Sequence, residues 1–251
     1  MTFHRDLDSY LFLETIDSTN LELQRRRHEF SGSNILLVSN EQTVGKGQHG
    51  RSWESKAGSG LWASLFLGQE KHLSCDLHLL SLFTGIIIRQ SIANIAGIEA
   101  ELKWPNDIMI QSKKCGGILT EIQWKGSRAK SAVIGFGINL TQEEMDFPSN
   151  IRKSATSLLQ EGWDLPDRER LVQSFIFNFF EQIELLNDPE HICSIWNQYA
   201  WRLNEHIRWE GNGTHFTGTF KGVNSEGEAI VLTDHSVQNV HTGRIHWLEM
   251  D

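Results

Sequence analysis

The sequence predicts an α/β (α+β) chain, in which a mixed β-sheet carries helices and a small β-barrel follows at the C-terminus. Strand-like apolar runs alternate with helical segments as far as about residue 200. One stretch, 77–96, is apolar on all sides and reads as a buried helix. From about residue 203 the texture changes to short alternating segments separated by turns containing Gly, Asn, Ser and Asp, as in a small barrel. The expected division is a main domain over 1–202 and a barrel over 203–251. No low-complexity linker separates them, so the two are expected to pack tightly.

In chain order, 10–14 reads as the first strand, and Asp17-Ser18-Thr19-Asn20 opens a polar helix with Thr19 and Glu22 at capping-box spacing. Runs 34–39 (NILLVS) and 60–67 (GLWASLFL) read as strands. The helix over 77–96 ends at Gly97, a residue suited to the left-handed backbone of a helix terminus. Four strand candidates follow, 100–104, 108–111, 117–124 and 129–140, the last two joined as a hairpin through Lys125-Gly126-Ser127. Asp167 caps a helix reaching about residue 186, and 190–200 forms another. In the tail, 206–210, 214–223, 229–233 and 237–248 are the barrel strands.

Of 251 residues, 39% are hydrophobic and 22% charged, the balance of an ordinary soluble globular protein. No run has the uninterrupted apolar length of a membrane span; 77–96 comes nearest but contains Arg89, Gln90, Ser91 and Asn94. The N-terminus lacks the basic and apolar regions of a signal peptide. Cys75, Cys115 and Cys193 are too few and too dispersed for a disulfide framework or a zinc site, so a cytoplasmic location is expected. A net charge of -9 argues against a protein that coats nucleic acid, and any positive charge must act locally. The eleven histidines show no close ligand spacing, so no metal held by the protein alone is expected. Arg25-Arg26-Arg27 lies on a polar helix and reads as a solvated face.

Between the strands at 34–39 and 60–67 lies Gly45-Lys46-Gly47-Gln48-His49-Gly50-Arg51-Ser52-Trp53. Its G-x-G-x-x-G spacing suggests a dinucleotide fingerprint, but such a fingerprint must open a helix, and here a second strand follows. What remains is a strand-loop-strand connection with Lys46, His49 and Arg51 as potential cations. Backbone amides and positive charge in such a loop converge on an anion; the plainer reading is a mobile hairpin loop. A second cluster is Lys103-Trp104-Pro105-Asn106-Asp107, followed by Lys113-Lys114-Cys115-Gly116-Gly117-Ile118-Leu119. Pro105 marks the end of one strand and the turn into the next. Asn106 offers a donor and an acceptor to a base edge or ribose, Asp107 offers oxygen to Mg²⁺, and both are also ordinary turn formers. Lys114 stands at the mouth of an apolar strand, where it can meet a carboxylate or phosphate, while Gly116 and Gly117 let a ligand approach the backbone. Cys115 reads as a buried thiol, since no nucleophile's triad accompanies it.

Taken together, these motifs make the chain resemble the biotin protein ligase family over nearly its whole length. The loop ending in Gly50-Arg51-Ser52-Trp53, the intact Lys103-Trp104-Pro105-Asn106-Asp107 and the Lys114 to Leu119 segment carry the resemblance. Asp17-Ser18-Thr19-Asn20 and Gly135-Phe136-Gly137-Ile138-Asn139 agree with it. The resemblance implies a mixed-sheet catalytic domain of the biotin/lipoate ligase type with an SH3-like C-terminal barrel. It implies an enzyme that uses ATP and Mg²⁺ to convert biotin to biotinyl-5′-AMP, then passes biotin to a lysine of a biotin carboxyl carrier protein of a biotin-dependent carboxylase. Members that also repress transcription carry a helix-turn-helix domain ahead of the catalytic domain. Here a strand begins near residue 10, so the monofunctional type, without nucleic acid or membrane as partner, is expected. A homodimer is left open. The rival readings are a lipoate or octanoate ligase and a non-enzymatic biotin-sensing protein.

The resemblance also implies roles. Lys114 is the cation between biotin carboxylate and α-phosphate, with Lys46 and Arg51 as further catalytic charges from the loop. Ser18, Thr19, Asn20 and Gln42 hold the biotin ureido ring, with Lys46, Gly47, Gln48, Lys114, Gly116 and Gly117 completing the biotin site. Arg51, Trp53, Lys103, Asn106 and Asn139 form the adenylate side, and Asp107 is a candidate contact for the Mg²⁺ that accompanies ATP. Gln48 and His49 depart from the commoner arginine-bearing pattern, so Gln48 brings no charge.

Overall fold

The computed structural model describes residues 3–211 and 213–248. In chain order its elements are β1 (Ser9–Ile16), α1 (Thr19–Arg25), β2 (Asn34–Gln42), β3 (Gly60–Leu67), α2 (Glu70–Leu73), α3 (Leu80–Ala96), β4 (Glu101–Lys103), β5 (Asp107–Ile110), β6 (Lys113–Lys125), β7 (Arg128–Asn139), α4 (Arg168–Gln182), α5 (Pro189–Gln198), β8 (His206–Gly211), β9 (Thr214–Val223), β10 (Ala229–Leu232), β11 (Val237–Val240) and β12 (Arg244–Trp247). The first sheet has seven strands in the order β1-β2-β3-β7-β6-β5-β4 and is mixed, with β1 and β2 parallel and every other pair antiparallel. The second sheet has five antiparallel strands in the order β11-β10-β9-β8-β12.

Strand β2 shows why the large sheet lies between two layers. Its side chains alternate, so Ile35 and Leu37 meet Leu23 of α1 on one face, while Leu36 and Val38 join the core under α3 and α4 on the other. The segment Leu77–Ala96 has the length and composition to cross a membrane, yet most of it is buried within the protein, where it forms the main core helix. Ile87 and Ile92 on it are fully buried, each contributing about 1.5–3 kcal/mol relative to exposure. Gly97 closes α3 in the left-handed region at φ 68°, as the sequence predicts. The second sheet shares this core: Ile207, Phe220 and Val231 belong to the same apolar cluster, and Asn197 on α5 exchanges hydrogen bonds with the backbone of Val223 at 2.8 and 2.9 Å.

Several local expectations change. Ser18, not Thr19, stands at the N-cap of α1 and makes no side-chain capping bond; the Thr19 amide donates instead to Gln42 Oε1 on β2, at 2.8 Å. Tertiary contact has replaced the local cap. The expected helix from 77 begins as a short 3₁₀ turn, with α3 proper starting at Leu80. Strand β6 starts at Lys113 rather than 117, because its first residues pair with β5. The single strand expected over 237–248 is two, β11 and β12, divided by a turn in which Gly243 has φ 125°. Asp167 caps α4 as expected, accepting from the Arg170 amide at 3.0 Å.

Candidate active site

The site begins with glycines that leave part of the sheet bare. In β7, Gly135 and Gly137 share a face, and Gly137 lies opposite Gly117 of β6. A Cβ on Gly135 would sit 2.1 Å from Asn20 Oδ1, and one on Gly137 would sit 2.5 Å from the Trp53 indole nitrogen. A Cβ on Gly117 would meet Trp53 at 3.2 Å and Lys114 Nζ at 3.3 Å. These side chains therefore rest directly on backbone, around a cavity of about 990 Å³. Ser18, Thr19, Asn20 and Gln42 line it, as do Lys46, Gly47, Gln48, Arg51, Trp53, Asn106, Asp107, Lys114, Gly117 and Asn139. The loop, the N-terminal Asp-Ser-Thr-Asn segment and the downstream lysine cluster thus converge from distant parts of the sequence.

One wall is a buried hydrogen-bond network. Thr19 Oγ1 donates to Gln42 Oε1 at 3.1 Å, and Gln42 Nε2 donates to Ser55 Oγ at 2.9 Å. Asn20 Nδ2 donates to Leu119 O at 3.2 Å and to Glu121 Oε2 at 2.8 Å. Beneath both, the fully buried Ser64 hydroxyl lies 2.7 Å from Thr19 Oγ1 and 2.5 Å from Asn20 Oδ1. Such a network fixes neutral donors and acceptors against rotation. Ser64 and Glu121 escape the sequence reading because their relevance exists only once β3 and β6 flank β7; the alternate glycines of Gly135-Phe136-Gly137 were the available signal of close approach.

The glycine loop forms a further wall and is folded on itself. The Trp53 amide donates to Gly45 O and the Gly47 amide to Arg51 O, both at 2.8 Å, and Lys46 pairs with Ser52 as an isolated bridge. No long helix opens, which removes the dinucleotide reading; the loop holds only a short 3₁₀ turn at Gln48–Gly50 with His49 at φ 55°. Arg51 Nε donates to Gln48 O at 3.3 Å, so part of its guanidinium is used within the loop. Lys114 Nζ pairs with Asp107 Oδ1 at 2.5 Å and lies 5.1 Å from the Trp53 ring centroid. Ammonium, carboxylate and indole are therefore already assembled.

The remaining expected residues separate. Asn106 Nδ2 donates to Ile118 O at 2.5 Å, tying its turn to β6 and leaving its Oδ1 toward other partners. Asn139 is used at both ends, donating to Thr156 O at 2.8 Å and accepting from Gln142 Nε2 at 3.2 Å. Gln142, absent from the sequence reading, lines the cavity with a buried Oε1 that has no hydrogen-bond partner among the described residues. Lys103 does not line the cavity: its ammonium lies 5.0 Å from the rings of both Trp201 and Trp247. Burial lowers its pKa, as do Lys114, Arg202 and Arg51, while Asp107 opposes the shift. Gly116 also lies off the cavity, since the pleat turns it away from Gly117; a Cβ there would strike Ile138 at 2.5 Å. Burial raises the pKa of the Cys115 thiol, in keeping with an inert core residue. Among the described residues no group of three or more His, Cys, Asp or Glu side chains is placed to hold a metal ion.

Comparison with known proteins agrees with this geometry. The sequence model of the biotin/lipoate A/B protein ligase family matches residues 12–139. The bifunctional ligase/repressor BirA of Bacillus subtilis is 34% identical over 229 residues, which cover 88% of this chain and 70% of that protein. The biotin--[acetyl-CoA-carboxylase] ligase of Mycobacterium tuberculosis is 33% identical over 165 residues, covering 63% of this chain and 58% of that protein. Among solved structures, biotin protein ligase from Aquifex aeolicus in complex with biotin and ATP superposes with a TM-score of 0.81 at 27% identity, covering 97% of this chain and 100% of that chain. From the matched motifs, the shared fold and the convergence of those motifs on one cavity, the chain belongs to the biotin/lipoate A/B protein ligase family.

Proposed function

We propose that this chain is an ATP-dependent biotin protein ligase that makes biotinyl-5′-AMP and transfers the biotinyl group to a lysine of a biotin carboxyl carrier protein. The observation that carries the proposal is one cavity lined both by a network of neutral hydrogen-bonding groups and by the cations Lys46, Arg51 and Lys114. The neutral wall of Ser18, Thr19, Asn20 and Gln42 suits an uncharged ureido ring, and the cations suit the carboxylate and phosphates.

In the first half-reaction the biotin carboxylate attacks the α-phosphorus of ATP, two anions meet, and pyrophosphate leaves. Fixed positive charge must offset their repulsion, and Lys114 bridges them. Asp107 holds that ammonium in place before substrates arrive. Trp53 packs the adenylate, Asn106 offers it a polar contact, and Asn139 positions Gln142, whose free Oε1 accepts from the adenine amino group. Lys103, outside the cavity lining, adds positive charge near this side at a distance rather than by contact. Asp107, one of four carboxylates lining the cavity with Glu41, Glu54 and Asp146, is compatible with Mg²⁺ bound chiefly through ATP phosphates, which would add charge neutralisation at the leaving pyrophosphate. The glycine loop, closed over the mixed anhydride, limits hydrolysis.

The carrier is a domain of a biotin-dependent carboxylase, and the catalytic and C-terminal domains divide at about residue 202, just before β8. Three free cysteines support a cytoplasmic setting. Pyrophosphate exchange with biotin, lipoate and octanoate tests the function. Exchange with biotin alone is expected; exchange with lipoate or octanoate alone would overturn the biotin reading, and none with any acid would leave a binding protein.

A further inference from the structure

A second cavity, of about 280 Å³, opens where the tip of the glycine loop faces β6 and the turn joining β11 to β12. It shares Gln48 and Leu119 with the main cavity, so the two abut. His241 lines it and belongs to none of the sequence motifs that meet at the main cavity. Its Nδ1 lies 2.7 Å from Glu228 Oε1. Glu228 is only 8% exposed and is held from its other side, because Asn224 Nδ2 donates to Oε2 at 2.7 Å and the Glu228 amide donates to Asn224 Oδ1 at 3.0 Å. The close approach of this carboxylate to Nδ1 is a charge–dipole contact that favours the proton on Nδ1, which leaves Nε2 as the nitrogen open to a proton. Asn224 thus fixes Glu228 by hydrogen bonds, Glu228 sits against His241 at ion-pair distance, and the imidazole is 81% exposed to solvent.

Of the two half-reactions, only the second requires a base. The biotin carboxylate is ionised at neutral pH, whereas an acceptor lysine with an ordinary pKa of about 10.4 is free amine in roughly one molecule in 2,500 at pH 7. We infer that His241, oriented by Glu228, is the general base of acyl transfer, receiving the acceptor lysine in the second cavity; this rests on the ligase function proposed above. His241 Nε2 takes one proton from the lysine ammonium. The amine then attacks the biotinyl carbonyl carbon, a C–N bond forms, and the C–O bond to phosphate breaks. The second proton of the nitrogen passes to the departing phosphoryl oxygen, leaving amide, AMP monoanion and an imidazolium that returns its proton to solvent.

The two half-reactions are measured separately in the full chain, for wild type, H241Q and E228Q. Biotin-dependent pyrophosphate exchange reports the first. Single-turnover transfer from biotinyl-5′-AMP, to a biotin carboxyl carrier domain or to hydroxylamine, reports the second; hydroxylamine is already unprotonated at pH 7.5. For H241Q we expect exchange within twofold of wild type, transfer to the carrier lower by about 10²-fold with its KM unchanged, and hydroxylamine transfer unaffected. E228Q is expected to show the same pattern at about tenfold. Carrier transfer by H241Q within threefold of wild type would overturn the inference. So would an equal loss toward both acceptors, which marks damage to the intermediate's site, or a rise in carrier KM alone, which marks a docking contact. Wild type without biotin-dependent exchange would instead overturn the ligase reading.

Discussion

Replacing Gly135 by alanine tests the bare sheet floor with one methyl group. The new Cβ would lie 2.1 Å from Asn20 Oδ1, 2.7 Å from its Cγ and 2.9 Å from its Nδ2, all well inside contact distance. Gly135 sits mid-strand with Asn20 pinned above it, so the Asn20 side chain has to leave. Leaving breaks its hydrogen bonds to Ser64, Leu119 and Glu121. At about 1 kcal/mol for each neutral bond and about 1.5–3 kcal/mol for the one to a carboxylate, the preorganisation lost amounts to roughly 3–5 kcal/mol. Part of this appears as global stability, with over-packing costing about 1–3 kcal/mol and Tm falling by about 2–12 °C. The remainder, about 2 kcal/mol, appears at the ligand: the biotin KM in pyrophosphate exchange rises about 30-fold while the ATP KM stays within a factor of about three. Thermal unfolding and exchange kinetics on the same preparation separate the two. A stable Gly135→Ala protein with unchanged biotin KM would refute the placement of the Asn20 network at the ureido ring.

Lys114→Met should reduce pyrophosphate exchange by about 10²–10³-fold, the equivalent of about 3–4 kcal/mol of lost electrostatic stabilisation; near-normal exchange would remove Lys114 from its role. His72 carries a pH dependence unrelated to catalysis. It is buried on Asn34, with Asp6, Lys71 and His4 nearby, and burial foremost, then Lys71 and His4, lower its pKa below 6.5 against the opposing pull of Asp6. As pH falls below about 6.5 the unfolded chain binds a proton that folded His72 refuses, so this contribution to stability is complete above that pH and is lost below it. Between pH 7.5 and 5 the wild-type Tm should therefore fall more steeply than that of His72→Gln; parallel curves would refute this account. Burial raises the pKa of all three thiols, to about 11 for Cys193, and Cys115 and Cys193 are buried, so iodoacetamide at pH 8 should alkylate Cys75 alone. Intact mass reads the number of adducts, and rapid modification of Cys115 would contradict its place in the core.

The sequence by itself determined the fold class and named most of the residues that come together around the cavity. Strands such as β2 and β3 are continuous apolar runs because both of their faces are covered, and that is visible in composition. The loop over 45–53, Asn106 with Asp107, and Lys114 were legible because their chemistry resides in short contiguous motifs. Tertiary structure decided what depends on register and facing. The pleat turned Gly117 toward the cavity and Gly116 away from it, and long-range packing set Lys103 against Trp201 and Trp247 rather than in the cavity lining. Ser64, Glu121 and Gln142 carry no motif and acquire meaning only through partners distant in sequence. The approach of His241 to Glu228, itself held by Asn224, exists only because the turn after β11 folds back onto the start of β10. A side chain's type follows from the local sequence, but its partner, burial and direction follow from the long-range packing that brings strands and loops together.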